Sequence, residues 1–259
     1  GLPLQRWGFS FMDDLLSVAT KEGNFQVPPD IKGGPIPDED VILQIRESEK
    51  FNFPIFSRQK ARSRSSRMNF IAGGPTLLDS LWMVKALKEC GEFICTSNNT
   101  HDFLLQNGIV PDACLLMDPK ECVKDYIKTP HPDVQYYIAV CCHPAVFEKF
   151  QTAQAKVEKV LIAYGMAHEQ EVDVQKLIYK RQLSDFLVGG TMTPLRAMPF
   201  AQMMGFHRLD YYGFDSCFST KGTPLIREDE SGYGEALKRV GYKYEDLETG
   251  TNYVIDEPV

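Results

Sequence analysis

Short apolar runs alternate with helix-like segments from residue 68 onward, and this alternation limits the possible folds more than any other feature of the chain. Several runs are apolar throughout, which is typical of parallel strands whose two faces are both covered by helices. The alternation therefore predicts an α/β fold with a mostly parallel sheet and helices on both faces. The predicted strands lie near 68–72, 92–96, 113–117, 136–141, 160–164, 184–188 and 208–213. The predicted helices lie at 76–90, 144–156, 166–182 and 191–205.

Residues 1–67 differ in texture and form a predicted helical N-terminal extension, which leaves 68–259 as the main domain. Two helices are expected in the extension, near 9–21 and 38–50, on either side of a turn-rich stretch. A basic, serine-rich run follows, and we interpret it as a solvated loop; the alternative is that it bends over an anionic ligand. Its basic residues are Arg58, Lys60, Arg62, Arg64 and Arg67.

The C-terminal part of the chain is polar beyond residue 216. One helix is predicted near 232–240, and the final segment, TNYVIDEPV, resembles the start of a further strand. The abrupt ending leaves both a natural terminus and an incomplete domain open.

Composition and charge exclude several classes of protein. With 43% hydrophobic residues and a formal net charge of −7, the chain is globular and lacks the basic balance of proteins that bind nucleic-acid duplexes. No apolar run approaches the ~18 residues of a membrane span, so no membrane crossing is expected. The seven Cys are odd in number and contain no C-x-x-C spacing, which favours a reduced, cytoplasmic protein.

Two glycine turns follow predicted strands, at the sheet edge where ligands of parallel α/β folds bind. Each turn offers free backbone N–H groups at a helix start, a suitable cradle for phosphate; the alternative is a tight turn with Thr76 as the helix N-cap. Neither turn matches a P-loop or a dinucleotide fingerprint. The turns comprise Gly73, Gly74, Pro75 and Thr76 after the first strand, and Gly189, Gly190 and Thr191 after the sixth.

Two aspartates, Asp118 and Asp215, also follow apolar strands, and Ser216 lies beside the second. Each carboxylate is a candidate Mg²⁺ ligand, ribose contact or general base, and the alternative is that it caps a turn or helix. A helix N-terminus offers only about half a positive charge, so a nucleotide's phosphates need a metal ion or nearby cations as well. The basic residues near this edge are Lys120, Arg196 and Lys221, for which ordinary surface positions are the plainer expectation.

The ends of the second and fourth predicted strands carry two further candidates. Asn98 has a side chain suited to binding a base, a sugar or a carboxylate, or to closing an Asx turn. His143 is a candidate proton acceptor or donor. A structural metal at Cys141 and Cys142 is not expected, because adjacent residues of a strand point to opposite faces. Serine-hydrolase and zincin motifs are absent from the sequence.

The order of these motifs resembles the family typified by the 6-hydroxymethylpterin diphosphokinase MptE and the flagellar motility-accessory Maf proteins. The resemblance covers about 68–218 and runs through FIAGGPTLLDSL, SNNTHDFLLQNGIVPDACLLMDP and LVGGTMTPLRAMPFAQMMGFHRLDYYGFDSCF. Thr76 replaces the usual Ser of the first motif. Members often continue to a His-Ala-Tyr segment after the last motif, whereas STKGTPLIREDESGYG contains no His. The glycine-proline turn is also similar to the nucleotide-binding turn of bacterial sialyltransferases.

The resemblance implies a Rossmann-like domain that uses a nucleotide in a transferase reaction. In the leading hypothesis, ATP gives a diphosphoryl group to the hydroxymethyl group of a pterin-like acceptor, and Asp118 and Asp215 organise Mg²⁺ or the acceptor. The alternative is a glycosyltransferase that uses a CMP-activated sialic-acid-like sugar, with His143 or Asp215 as the base. A non-catalytic nucleotide- or sugar-binding module is a third hypothesis. The expected partners are the small-molecule nucleotide and acceptor, and a second copy of the chain stays open.

Overall fold

The main sheet contains six parallel strands. A computed structural model describes residues 36–60, 62–63, 66–74, 76–163, 169–188, 192–215, 217–219, 242–245 and 252–255. The strands are β1 (Arg67–Ile71), β2 (Phe93–Ser97), β3 (Ala113–Leu116), β4 (Gln135–Ala139), β5 (Lys156–Val160) and β6 (Arg208–Tyr212). Their order across the sheet is β5-β4-β3-β2-β1-β6, so β1 lies between β2 and β6.

Six helices lie within the described part of the chain. They are α1 (Asp38–Ser48), α2 (Leu77–Glu89), α3 (Thr100–Gln106), α4 (Pro144–Thr152), α5 (Glu169–Tyr179) and α6 (Thr193–Met203). Short 3-10 turns add Glu121–Asp125 and Leu183–Asp185. Helix α2 connects β1 to β2, α3 connects β2 to β3, and α4 connects β4 to β5. Parallel strands require crossover connections of this kind.

Helices cover both faces of the sheet, as neighbouring residues of β4 show. The Tyr136 ring packs against Phe150 of α4 with 4.7 Å between ring centroids, whereas the Tyr137 ring packs against Phe200 of α6 at 4.8 Å. Because successive side chains of a strand point to opposite faces, α4 and α6 lie on opposite sides of the sheet. The predicted Rossmann-like α/β fold, with a parallel sheet between two helical layers, is therefore confirmed.

The described part of the predicted N-terminal extension packs on this sheet. The predicted helix at 38–50 forms as α1, and Phe56 is 1% exposed, with its ring in contact with Tyr137 and Phe200. Lys159 of β5 is buried, and its Nζ donates to the carbonyl oxygens of Ser48 and Phe51. These two hydrogen bonds tie the end of α1 to the edge strand of the sheet.

The basic run between α1 and β1 lies at the amino end of the sheet. The Arg62 guanidinium lies 4.2 Å from the centroid of the Phe206 ring, and Arg67 pairs with Asp210 at 3.1 Å. Arg58 and Lys60 are exposed. Since ligands of such sheets bind at the carboxyl end, the described residues of this run do not reach that edge.

Three elements differ from their sequence-based positions. The predicted strand at 184–188 is instead a 3-10 turn followed by a single bridge between Leu187 and Ile162, because only Phe186 and Leu187 are buried there. The predicted strand at 160–164 begins earlier and forms β5. The helix α3 was not predicted, since its seven residues are fewer than an apolar repeat needs to be recognised.

A second, antiparallel sheet has the order β7-β9-β8, with β7 (Cys217–Ser219), β8 (Tyr242–Glu245) and β9 (Asn252–Ile255). The strand β9 confirms the strand that TNYVIDEPV indicated. The predicted helices at 9–21 and 232–240 lie outside the described residues. None of the helices that the structure describes combines the length and apolar character needed to cross a bilayer.

Candidate functional site

The strand order creates a crevice between β1 and β6. From β1 the chain passes through α2 to β2 on one face, whereas β6 is reached through α6 on the other face. The strand order therefore changes direction between β1 and β6. Open α/β sheets bind ligands at such a switch point, beyond the carboxyl ends of the strands. The first glycine turn and Asp215 both lie at this position.

The two loops approach each other closely enough to require glycine. The N–H of Gly74 donates to the carbonyl oxygen of Gly213 at 2.7 Å. A Cβ atom on Gly74 would lie 2.6 Å from that oxygen and 2.5 Å from Asp215 Oδ2. Gly213 has a φ of +65°, and a Cβ there would lie 2.4 Å from the carbonyl oxygen of Ala72. These glycines allow backbone to pack on backbone, a role the sequence did not distinguish from phosphate binding.

Asp215 caps helix α2 from the neighbouring loop. Its Oδ2 accepts the backbone N–H of Thr76 at 2.7 Å, and its Oδ1 accepts the Thr76 hydroxyl. Thr76 occupies the N-cap position, but its side chain makes no capping bond within its own helix. The carboxylate therefore stands where an anion would be expected at a helix start. Any phosphate in this crevice would meet a negative charge.

An open cleft of about 450 Å³ lies beside this cap. One wall is the first two turns of α2, including Asp79, Ser80 and Met83, and the other is the chain at 211–215. Trp82 stands at the edge with 69% of its surface exposed. The volume falls within the range of small-molecule pockets, roughly 300–1,000 Å³. The switch point therefore has a cleft of small-molecule size beside it, and the walls of this cleft are aromatic and acidic.

Asn98 lies at the end of β2, between the switch point and β3. Its φ of +51° is in the left-handed region, which non-glycine residues adopt uncommonly and which is enriched at functional sites. Its N–H donates to Leu115 of β3, while its buried side-chain oxygen has no hydrogen-bond partner among the described residues. An unsatisfied amide oxygen in a strained turn is suited to accepting a donor from a ligand.

Asp118 follows β3, and its Oδ1 accepts the N–H of Lys120 at 3.0 Å, which closes an Asx-type turn. The neighbouring Met117 carbonyl accepts a hydrogen bond from the Arg196 guanidinium. Arg196 is 2% exposed, so the expectation of an ordinary surface charge was wrong for this residue. Helix α6 places the Arg196 side chain at the carboxyl end of β3. The guanidinium supplies positive charge at the edge of the sheet where ligands of this fold class bind.

His143 lies at the end of β4 and caps α4. Its Nδ1 accepts the N–H of Ala145 at 3.2 Å. A neutral His143 ring in this position carries its proton on Nε2, which is able to donate a hydrogen bond. Its basic nitrogen, Nδ1, is already occupied as the acceptor of the Ala145 N–H. Burial raises the pKa of the neighbouring Cys142 thiol well above its ordinary value, and Asp118 adds to the shift. This thiol is therefore not a nucleophile.

A resident Mg²⁺ shared by the two aspartates does not fit this arrangement. The strands β3 and β6 are separated by β2 and β1, which puts their ends on the order of 14 Å apart. No group of three or more His, Cys, Asp or Glu side chains suited to a metal ion occurs among the described residues. Each carboxylate alone retains lone pairs for an ion that arrives with phosphates, because Mg²⁺ commonly takes one or two carboxylates.

The candidate residues thus fall into two groups along the carboxyl edge. Gly73, Gly74, Thr76 and Asp215 belong to the β1–β6 boundary, and Asn98, Asp118 and His143 follow β2, β3 and β4. The remaining candidates lie outside the described residues: Pro75, Gly189, Gly190, Thr191 and Ser216. Lys221 also lies outside them.

Sequence reasoning missed the acidic and aromatic side chains of α2. Asp79 and Trp82 sit inside a helix, three and six residues after the N-cap, and no turn motif marks them. A usable signal was the helical spacing of Trp82, which lies three residues after Asp79 and three before Lys85 and so shares the charged face of the helix.

Comparisons with known proteins agree on the fold. A model of the family described as 6-hydroxymethylpterin diphosphokinase MptE-like matches residues 44–221. The solved Maf glycosyltransferase from Magnetospirillum magneticum AMB-1 aligns with a TM-score of 0.56 at 13% sequence identity. The alignment covers 87% of this chain and 33% of that one, so the chain spans about one third of its length. No curated protein matches the sequence. The structural likeness shows a shared fold.

Proposed function

The chain belongs to the 6-hydroxymethylpterin diphosphokinase MptE-like family, and from this premise we propose that it is a nucleotide-dependent transferase. The observation that carries the proposal is the cleft at the β1–β6 switch point, with Asp215 fixed at its base by Thr76. Small-molecule substrates of this fold class bind at such crevices. The carboxyl edge of the sheet continues from the cleft past Asn98 to Asp118 and Arg196.

In the leading version, the substrates are ATP and an acceptor with a hydroxymethyl group, such as a pterin. The acceptor oxygen attacks the β-phosphorus of ATP, the bond from that phosphorus to the α–β bridging oxygen breaks, and AMP leaves. The acceptor hydroxyl loses its proton to a base. Catalysis of this kind depends mainly on in-line positioning and on neutralising charge.

Charge complementarity assigns different parts of the edge to different parts of the substrates. Phosphates favour the region of β3, where Arg196 brings a buried positive charge. When Mg²⁺ accompanies the nucleotide, it neutralises phosphate charge, and Asp118 is the carboxylate of that region suited to hold it. Asp215 is already bonded to Thr76 and belongs to the other end of the edge.

A glycosyltransferase that uses a CMP-activated sialic-acid-like sugar is the second candidate. The fold shared with a solved Maf glycosyltransferase favours it. The candidates for its base are Asp215 and His143. The basic nitrogen of His143 accepts the Ala145 N–H, so this bond has to open before His143 takes up a proton.

Thermal denaturation with a nucleotide panel tests the proposal. ATP, CMP and UDP sugars are compared with and without Mg²⁺, because a ligand at 100 times its dissociation constant adds about 2.7 kcal/mol of stability. ATP with Mg²⁺ should stabilise the protein, and incubation with 6-hydroxymethylpterin should release AMP. Stabilisation by a CMP sugar without Mg²⁺ would transfer support to the second candidate. If a nucleotide binds but no transfer occurs with either acceptor class, the chain is a binding module and the proposal fails.

A further inference from the structure

The cleft beside the Asp215 cap has walls that do not suit phosphate. Asp79 and Asp215 line it, and no Lys, Arg or His does so among the described residues. Two carboxylates without a basic partner repel an anion and attract hydrogen-bond donors. The part of a ligand that enters this cleft is therefore neutral or cationic and carries N–H or O–H groups.

Asp79 is the carboxylate that is available to a ligand. Both oxygens of Asp215 accept hydrogen bonds from Thr76. Ser80, the nearest hydroxyl on the same wall, donates to the Thr76 carbonyl at 3.2 Å. Within the described part of the chain, nothing forms an ion pair or side-chain hydrogen bond with Asp79. Because Asp79 lies in the first turn of α2, its negative charge also interacts favourably with the helix dipole. The test must therefore separate this stabilising role from a role in binding.

The remaining walls are aromatic or apolar. Trp82 is 69% exposed and Met83 38% exposed, which is unusual for such large apolar side chains. Tyr212 and Phe214 stand on the opposite side of the cleft. Flat π-systems and polarisable sulfur favour stacking with planar rings, and indole offers the largest such surface.

We propose that the cleft between α2 and the chain at 211–215 binds a planar, amino-substituted heteroaromatic ring, which stacks on Trp82 and donates N–H groups to Asp79. Phosphates attached to such a ligand lie outside the cleft. The inference deepens the proposed function and rests on it for the assumption that one substrate combines a ring with phosphates or a transferable group. It adds Asp79 and Trp82 as specificity residues.

The sequence provides a specific probe, because its two Trp are Trp7 and Trp82. In a Trp7→Phe background, Trp82 is the single indole reporter of the cleft. Adenosine and guanosine are titrated as amino-bearing rings, purine riboside as a ring of the same size without the amino group, and inorganic pyrophosphate as the anion. The readouts are Trp82 fluorescence and its protection from acrylamide.

At least one amino-bearing ring should change Trp82 fluorescence and protect it, while pyrophosphate should do neither. Asp79→Asn should weaken that ring's binding at least tenfold and leave purine riboside unaffected. Asp173→Asn, a change to an exposed carboxylate on α5, is the matched control and should change neither affinity. A purely helix-stabilising role of Asp79 predicts a lower melting temperature with unchanged affinities, and that result would overturn the proposal.

Two further outcomes also count against it: pyrophosphate protects Trp82, or no ring changes its fluorescence. The proposed function has separate readouts. If amino-bearing rings bind at Trp82 but no transfer occurs with ATP or a nucleotide sugar, the function fails and the ring site stands. If transfer occurs while Trp82 stays unprotected, the ring site fails and the function stands.

Discussion

Asp215 and Thr76, 139 positions apart in sequence, are joined by two hydrogen bonds at the start of α2. The aspartate follows β6, and the threonine follows the adjacent strand β1. Their bond closes the β1–β6 boundary at the carboxyl edge and gives the cleft a negatively charged base. The helix start that a glycine-rich turn suggests for phosphate is thereby used by the protein's own carboxylate.

Replacing Asp215 by Ala should destabilise the protein by about 1–2 kcal/mol, the usual cost of losing a helix cap. The reason is that the Thr76 N–H and hydroxyl lose their acceptor in a half-buried position. Urea unfolding measures the change, and Asp173→Ala is the control for loss of an exposed carboxylate. Equal stability of the two variants would show that the cap contributes nothing.

Gly74→Ala should cost about 1–3 kcal/mol or more, as overpacking against rigid backbone does. The new Cβ would lie 2.6 Å from the Gly213 carbonyl oxygen, so close that the backbone of one of the two loops has to shift. Gly91→Ala is a matched comparison, because that glycine has a φ of +78° but open space around it. Its cost should be confined to backbone strain, about 1–2 kcal/mol. A smaller loss at Gly74 than at Gly91 would contradict the close approach of the two loops.

Tyr136→Phe should destabilise the protein by about 1–3 kcal/mol, the cost of leaving buried polar groups unpaired. The Tyr136 hydroxyl lies 2.7 Å from His101 Nε2 and accepts the N–H of His131, and His101 Nδ1 contacts Asp102 at 2.7 Å. The network joins α3 to β4. Tyr137→Phe, on the opposite face of the same strand, is the control and should cost less in chemical denaturation.

The network also sets the charge of Asp102. Burial alone would raise the pKa of this carboxyl, but hydrogen bonds from His101 and from the Lys128 N–H outweigh it, so the pKa is lowered. A carboxyl with a lowered folded pKa stabilises the protein above its unfolded pKa and loses that contribution as the pH falls. Acid should therefore remove the contribution of Asp102 to the attachment of α3, which hydrogen exchange of the α3 amides measures.

Lys159 should make stability rise with pH. Burial lowers its pKa to about 8, and the opposing attraction of Glu49 is smaller. Between about pH 8 and the ordinary lysine value near 10.4 the unfolded chain binds more protons than the folded one, so unfolding becomes less favourable as pH increases. Lys159→Met should remove this slope, by up to about 1.4 kcal/mol per pH unit. Parallel slopes for both proteins between pH 8 and 10 would show that Lys159 is not responsible.

Asp118→Ala should weaken nucleotide binding while the fold stays intact. The loss of its hydrogen bond to the Lys120 N–H costs about 0.5–1.5 kcal/mol, the usual contribution of a single hydrogen bond. Isothermal titration with ATP and Mg²⁺ measures the affinity, and the melting temperature reports the fold. An unchanged affinity would leave Asp118 with its turn-closing role alone.

Much of the fold could be predicted because its signals are local. The strands β1 to β4 are buried on both faces, so largely apolar runs mark them within one or two residues. The strand predicted at 184–188 does not form. Two buried residues beside the end of β5 give the same local apolar pattern as a short strand. Whether such a run forms a ladder depends on the neighbour that tertiary folding supplies.

The candidate site was predictable only as an edge. Polar residues after each strand had to meet at the carboxyl end, and Gly74, Thr76 and Asp215 do so. The separate roles of the edge residues were not predictable. Asp215 caps α2, Arg196 is buried at the carboxyl end of β3, and the basic nitrogen of His143 accepts a backbone N–H. Each of these facts depends on a contact between residues far apart in the chain.

The amino-acid sequence by itself determined the α/β class, the positions of most strands and helices, and the edge at which polar residues gather, because hydrophobic periodicity and turn residues act over a few neighbours. Tertiary structure alone decided which strands lie side by side, that α6 returns to place β6 next to β1, and that the resulting cleft is acidic and aromatic. The physical reason is that burial and charge pairing depend on distances in space, and the strand order sets those distances.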